Sequence, residues 1–182
     1  PAVAEPMDLR RYLAPQGQGK PPAGLITVEG GAKPDISILH TEERIPWSGH
    51  SARYAGKDLY EALKQHQTTL VFVNTRSQAE RVFQELWTIN DDNLPIALHH
   101  GSLDAGQRRR VEAAMAENRL RAVVATSTLD LGIDWGDVDL VVHVGAPKGA
   151  SRLAQRIGRA NHRMDEPSKA ILVPANRFEV ME

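Results

Sequence analysis

The chain reads as an α/β domain: a doubly wound parallel sheet with helices on both faces. Three observations carry this reading. A short, continuous apolar run such as "TLVFV" (69–73), echoed by the Val- and Leu-rich "VDLVVHVG" (138–145), is what a strand needs when both of its faces are buried. Segments of helical period lie between those runs. The links are short and rich in Gly, Asn, Ser and Asp. At 182 residues the chain is long enough for one well-cored domain.

The elements follow in order. "MDLRRYLA" (7–14) reads as a short helix, and "PQGQGKPPAG" (15–24), dense in Pro, Gly and Gln, as a linker. Residues 1–24 are therefore expected to be a helix and linker left from a preceding domain, and residues 25–182 one domain. Because the chain opens on Pro1, a processed or excised segment is expected. "GLITVEGG" (24–31) and "DISILH" (35–40) alternate as strands do, with Gly30, Gly31 and Pro34 at the turn. "GKDLYEALKQH" (56–66) has Leu59, Tyr60 and Leu63 at helical spacing. After the strand at 69–73 comes a helix with Ala79, Val82, Phe83 and Leu86 on one stripe, and Ser77 with Glu80 is expected to form its capping box. The pattern continues with a strand at 95–99, a helix near 104–117, a strand at 121–126 and a short helical turn. The strand at 138–145, a helix at 150–160 and a last strand at 169–174 complete it.

Composition narrows the classes of function. Net charge is −1, so a nucleic-acid partner must be held by local patches and not by a whole-molecule field. Cys is absent, which removes disulfides and thiolate metal sites and fits a reducing, cytoplasmic setting. No apolar stretch has the length of a signal peptide or a membrane span.

Polar residues gather where strands give way to helices, the place where open α/β sheets bind ligands. They are Asn74, Thr75, Arg76 and Ser77; His99, His100, Gly101 and Ser102; and Thr126, Ser127 and Thr128, followed by Asp130, Gly132 and Asp134. Any single one of these is an ordinary helix cap. Three sets on one sheet edge form a row of donors suited to phosphate oxygens. His99-His100 has no third metal ligand at convincing spacing and reads as a structural pair, so no metal site is expected. "WSGHS" (47–51) is not a nucleophile elbow. Among Asp130, Asp134, Asp137 and Asp139, the last two read as a solvated turn, and Asp134, after Gly132, is placed to accept from a ligand hydroxyl. Trp47 and Trp135 read as core.

The segment from Val144 to Met164 holds Lys148, Arg152, Arg156, Arg159 and Arg163 and no acid. Like charges three and four apart repel on a helix. With Arg156, Arg159 and Arg163 at i, i+3 and i+7 on one side, a polyanion is the economical partner, and the guanidinium fork suits phosphate.

"TLVFVNTRSQAERV", "ALHHGSLD", "VVATSTLDLGIDWGDVDLVVHVGAP" and "QRIGRANHR" stand in the order and spacing of motifs IV, IVa, V and VI of superfamily 2 helicases. Residues 25–182 thus resemble the second RecA-like domain of that superfamily, in particular its large helicase-related (Lhr) branch. "RIPWSGH" (44–50) is similar to a segment of the ligase-associated DEXH-box helicases within that branch. The resemblance implies that Gln155 and Arg159 face ATP, Arg159 as an arginine finger, with Arg156 in the same nucleotide site. The usual Gln-x-x-Gly-Arg-x-Gly-Arg run is altered here: Asn161 replaces the second Gly and His162 the last Arg, with Arg163 one place later, so the second finger falls to Arg163 or else to His162. Gly132 and Asp134 match positions near the ribose. Thr126 and Ser127 match phosphate-touching positions, and Asn74, Thr75, Arg76, Gly101 and Ser102 match the backbone-gripping loops.

No Gly-x-x-x-x-Gly-Lys-[Ser/Thr] loop occurs, nor an Asp-Glu-x-His box, and triphosphate hydrolysis needs both a phosphate cradle and Mg²⁺ ligands. This segment alone is expected to be inactive. The resemblance implies ATP and Mg²⁺ as cofactors, with the Mg²⁺ ligands supplied by a first RecA-like domain of the same protein. It also implies single-stranded DNA as the track, 3′-to-5′ translocation, and a DNA ligase or nuclease repair system as partner. A non-catalytic RecA-like binding or regulatory module stands as the alternative. A dinucleotide enzyme lacks its Gly-x-Gly-x-x-Gly turn.

Overall fold

The computed structural model describes residues 6–14, 21–26, 32–130, 137–160 and 167–181. Helix α1 (Pro6–Leu13) buries none of its side chains and is fastened to the following segment where Arg10 Nε donates to the Ala23 carbonyl at 2.7 Å. Residues 24–26 have no regular secondary structure; the rest of the strand expected over 24–31 falls outside the described residues.

The sheet is formed by β1 (Asp35–Ile38), β2 (Thr69–Phe72), β3 (Ile96–His99), β4 (Ala122–Ala125), β5 (Leu140–Val144) and β6 (Lys169–Val173). Its spatial order is β1-β6-β5-β2-β4-β3 and every pairing is parallel. Helices α2 (Gly56–Lys64), α3 (Arg76–Thr88), α4 (Ala105–Ala116) and α5 (Ala150–Ile157) supply the connections.

The apolar runs of the central strands are continuous because those strands feed two cores. Val71 and Val73 join Val124, Val142 and Leu86 on one face, while Leu70 and Phe72 join Val123, Val141 and Met115 on the other. Side chains of period two thus divide one strand between two layers of helix. Strand β1, at the sheet edge, is exposed along its whole length. Such edges are usually kept short, as this one is. Among the described residues no helix is long and apolar enough to cross a membrane.

Caps set where the helices begin. Thr75 accepts from the Gln78 N–H at 3.2 Å, and the Gln78 side chain turns back to accept from the Asn74 N–H at 3.0 Å. The cap of α3 is therefore Thr75 and not Ser77, and Glu80 is engaged elsewhere, with Arg76 at 2.8 Å. Asp104 caps α4 by accepting from Gly106 and Gln107. Asp139 is not part of a solvated turn: its carboxylate accepts from the Gln67 and Thr68 N–H groups, each at 2.9 Å, and so pins the starts of β2 and β5 together. Asp137 is exposed, and its N–H donates to Asn118 at 3.2 Å.

Candidate nucleic-acid and nucleotide site

The order β2-β4-β3 makes neighbours of three loops that are far apart in sequence. Asn74, Thr75 and Arg76 leave β2, Thr126 and Ser127 leave β4, and Gly101 and Ser102 follow His100 beyond β3. Thr75, Arg76, Gly101, Ser102 and Ser127 are exposed, and Asn74 and Thr126 half-exposed. These seven residues form one polar row along the carboxyl edge of the sheet.

Several members of the row are held in place. Asn74 Nδ2 donates to the Ala146 carbonyl at 2.7 Å, tying the loop after β2 to the loop after β5. That contact needs a close approach at Gly145, whose φ of +86° suits glycine and where an added Cβ would stand 3.3 Å from Asn74 Nδ2. Arg76 lies along Glu80, whose carboxyl this hydrogen bond holds below its ordinary range. Behind them His99 is buried between Thr128 (2.8 Å) and Glu112 (3.0 Å). The Glu112 carboxylate can only accept, so the Nε2 of His99 donates to it. Buried His100 has Nε2 3.5 Å from Glu80, and burial pushes its pKa below the usual imidazole range. Among the described residues no group of three or more His, Cys, Asp or Glu could hold a metal ion.

The second half of the site is organised by Asp130, which closes the 3-10 turn Ser127–Leu129 after β4. Its carbonyl accepts from Gln155 Nε2 at 3.1 Å and from Arg159 Nη2 at 3.0 Å. Its carboxylate accepts from Arg156 Nε at 2.7 Å and Nη2 at 3.3 Å, with Arg152 at 3.6 Å. The remaining Arg156 nitrogen, Nη1, donates to His143 Nε2 at 2.6 Å, and the guanidinium lies 4.6 Å from the centre of the Phe72 ring.

Arg156 is therefore not a nucleotide-facing residue. Only 2% of it is exposed, and its fork is spent on Asp130 and His143 in the core. The acid missing from its own segment comes from 26 residues upstream. For His143 to accept this bond its Nδ1 must carry the proton, which it donates to the Gly145 carbonyl at 2.9 Å. Burial, with the Arg156 charge second, pushes the His143 pKa down to about 4. The imidazole is neutral at neutral pH.

Gln155 and Arg159 are brought together as expected from their spacing, Gln155 exposed and Arg159 half-buried. Helix α5 stops at Ile157, so Arg156 and Arg159 do not share a solvent face. Arg163, Gly132, Asp134 and Trp135 fall outside the described residues. Trp47 is not core: it is 68% exposed. His143 is the residue that the sequence reading missed, and Asp130, singled out there, was given no partner. A lone His inside the otherwise apolar run 140–144 was the available signal, because a buried imidazole demands a partner.

A doubly wound parallel sheet with this polar row on its carboxyl edge is the RecA-like fold of helicase motor domains. The chain belongs to the helicase C-terminal domain family, in its Lhr-like branch: residues 55–164 match the helicase conserved C-terminal domain. It is 45% identical to ATP-dependent helicase Lhr-Core protein 2 of Thermococcus barophilus over 69% of this chain and 15% of that protein. With the Lhr helicase/probable uracil glycosylase of Mycolicibacterium smegmatis it shares 31% identity over 98% of this chain and 14% of the relative. The chain thus spans about 15% of the length of the curated relatives it matches. Among solved structures, Mycobacterium smegmatis helicase Lhr bound to ssDNA and AMP-PNP superposes with a TM-score of 0.73 at 33% identity, over 88% of this chain and 21% of the other. The C-terminal domain of the DEAD-box protein Dbp5 (TM-score 0.60, 21% identity, 83% of this chain and 82% of that one) shares the fold.

Proposed function

We propose that this chain is the second motor lobe of an ATP-dependent DNA helicase, working with a first RecA-like lobe of the same protein. The observation that carries the reading is the double hold of Asp130, whose carbonyl orients Gln155 and Arg159 beside the polar row that Thr126 and Ser127 help to form. Nucleotide chemistry and strand grip then meet at one turn of chain.

The donor set fits the phosphate end of a nucleotide, since a guanidinium fork and an amide N–H both suit phosphate oxygens. It lacks a glycine-rich cradle and Mg²⁺ ligands, which the first lobe would supply, so this segment by itself does not hydrolyse ATP. Arg159 acts as the arginine finger, with Arg163 the second, and Gly132 and Asp134 are assigned to ribose contact by their match to motif V. Bound ATP supplies the free energy that closes the two lobes. The row Asn74, Thr75, Arg76, Gly101, Ser102, Thr126 and Ser127 holds single-stranded DNA by its backbone. Closing and reopening advances the lobe along one strand, 3′ to 5′, in a cytoplasmic repair system that includes a ligase or nuclease. The alteration in motif VI and the "RIPWSGH" segment support the Lhr and ligase-associated assignment. The Lhr protein that superposes with this chain is described as bound to ssDNA and AMP-PNP, which supports both ligands here.

In the full-length protein, Arg159→Ala lowers DNA-stimulated ATPase turnover by about 10³–10⁵-fold and leaves strand affinity within a few-fold. Near-normal turnover in that variant rejects the finger.

A further inference from the structure

The "RIPWSGH" segment (44–50) has no task in the reading above, yet it is strapped to the domain along its length. Arg177 N–H donates to the Pro46 carbonyl at 2.9 Å and Arg177 Nε to that of Ile45 at 3.1 Å. Asn176 Nδ2 donates to the Gly49 carbonyl at 2.9 Å and Gln78 Nε2 to that of His50 at 3.2 Å. Gly49 has a φ of +118°, which suits glycine and turns the chain back. The product of this anchoring is a fixed indole. Trp47 is 68% exposed, and the Arg177 guanidinium lies 4.3 Å from the centre of its ring. An indole left in water forfeits the large burial term that normally keeps aromatic residues inside.

Position says what the ring faces. Asn176 and Arg177 follow the carboxyl end of β6, so Trp47 belongs to the same sheet edge as the polar row. Gln78 links the two directly: one end of its amide accepts from Asn74 N–H, the other donates to the His50 carbonyl. Trp47 is three residues from His50, a reach of at most about 10 Å. Between loop and row runs a cleft of about 190 Å³ whose lining includes His50, Asn74, Thr75, Arg81 and, from beyond β6, the carboxylate of Glu179. Around Trp47 the exposed Arg44, Ser48 and His50 are polar or charged, while exposed Pro46 and, next to Arg177, Phe178 are apolar. Exposed Val180 and Met181 line a neighbouring groove with residues 41–45 and with Arg177, the residue packed on the Trp47 ring.

We propose that Trp47 is a base-stacking platform at the β6 end of the strand-gripping row. One base of a single-stranded nucleic acid lies on the open indole, whose position Arg177 and the strapped loop fix. The row grips phosphates and this residue grips a base. The inference rests on the reading that a strand crosses this edge, and the test separates the two.

The full-length protein is photo-crosslinked to a single strand carrying 5-iododeoxyuridine, and the adduct is mapped by peptide mass spectrometry. Affinity for the unmodified strand is measured at several salt concentrations. The expected results are an adduct on Trp47, an affinity loss of about 5- to 150-fold in Trp47→Ala, near-wild-type binding in Trp47→Phe and an unchanged salt slope, because stacking releases no counterions. Wild-type affinity in Trp47→Ala, with steep salt dependence retained, overturns the platform and leaves the strand path standing. A lowered unfolding midpoint in Trp47→Ala with unaltered affinity also overturns it and assigns the indole to contact with another part of the protein. A wild-type protein that shows no salt-dependent strand binding overturns both readings.

Discussion

At the scale of single residues, the buried Asp130–Arg156–His143 group decides what the rest of the motif is free to do. A guanidinium at 2% exposure is tolerable only with a carboxylate and an acceptor for its remaining N–H groups, and Asp130 and His143 meet both needs. Asp130→Asn keeps the shape and strands the charge. The expected loss is about 3–5 kcal/mol of unfolding free energy, read by urea denaturation, and a loss under 1 kcal/mol would mean that Asp130 does not neutralise Arg156. His143 adds a dependence on pH. Its folded pKa, about 4, lies below the ordinary 6.5, so the unfolded chain binds the extra proton first. The stability that its neutral form contributes is complete above pH 6.5 and is lost as pH falls from there toward 4. Over that window wild-type protein should lose up to about 3 kcal/mol more than His143→Gln, which carries no proton to exchange. Parallel stability curves for the two proteins would contradict the neutral imidazole.

At the scale of elements, what could be read from the sequence is what local physics determines. The runs at 69–73 and 138–145 became β2 and β5 because a short stretch dominated by Leu, Val and Phe suits a strand covered on both sides. The stripe Ala79, Val82 and Leu86 did become the buried face of α3. Helix starts were legible only to within a residue or two, since Thr75 and Ser77 are chemically alike as caps and the return bond from Gln78 decides between them. Long-range pairing was not legible at all. Arg156 looks like one more surface cation until the acid 26 residues away closes on it. Asp139 looks solvated until two N–H groups at the start of β2 reach it. Trp47 looks like core until a loop strapped from β6 and α3 holds it outward. The polar row, in contrast, could be foreseen, because the rule that ligands meet strand carboxyl ends depends on the class of sheet and not on any one contact.

At the scale of the whole chain, a net charge of −1 means that the strand binding proposed above would rest on local groups, so each cation on the row should be separately measurable. Most of the row consists of hydroxyls, amides and backbone, which position phosphates without releasing counterions. Arg76 is its one guanidinium, and Glu80 holds it at 2.8 Å with both side chains substantially exposed. An exposed pair of this kind is worth little in water, and a phosphate can compete for the guanidinium. In the full-length protein, Arg76→Ala should therefore weaken single-strand binding and flatten the plot of log affinity against log salt by about 0.7, the contribution of one neutralised phosphate on a single strand. Thr126→Ala should weaken binding with the slope unchanged, because a hydroxyl displaces no condensed ion. Fluorescence anisotropy of a labelled oligonucleotide across a salt series reads both quantities at once. Equal slopes in wild type and Arg76→Ala would place the strand away from β2, and a shallower slope in Thr126→Ala would show that its substitution disturbs the cation beside it.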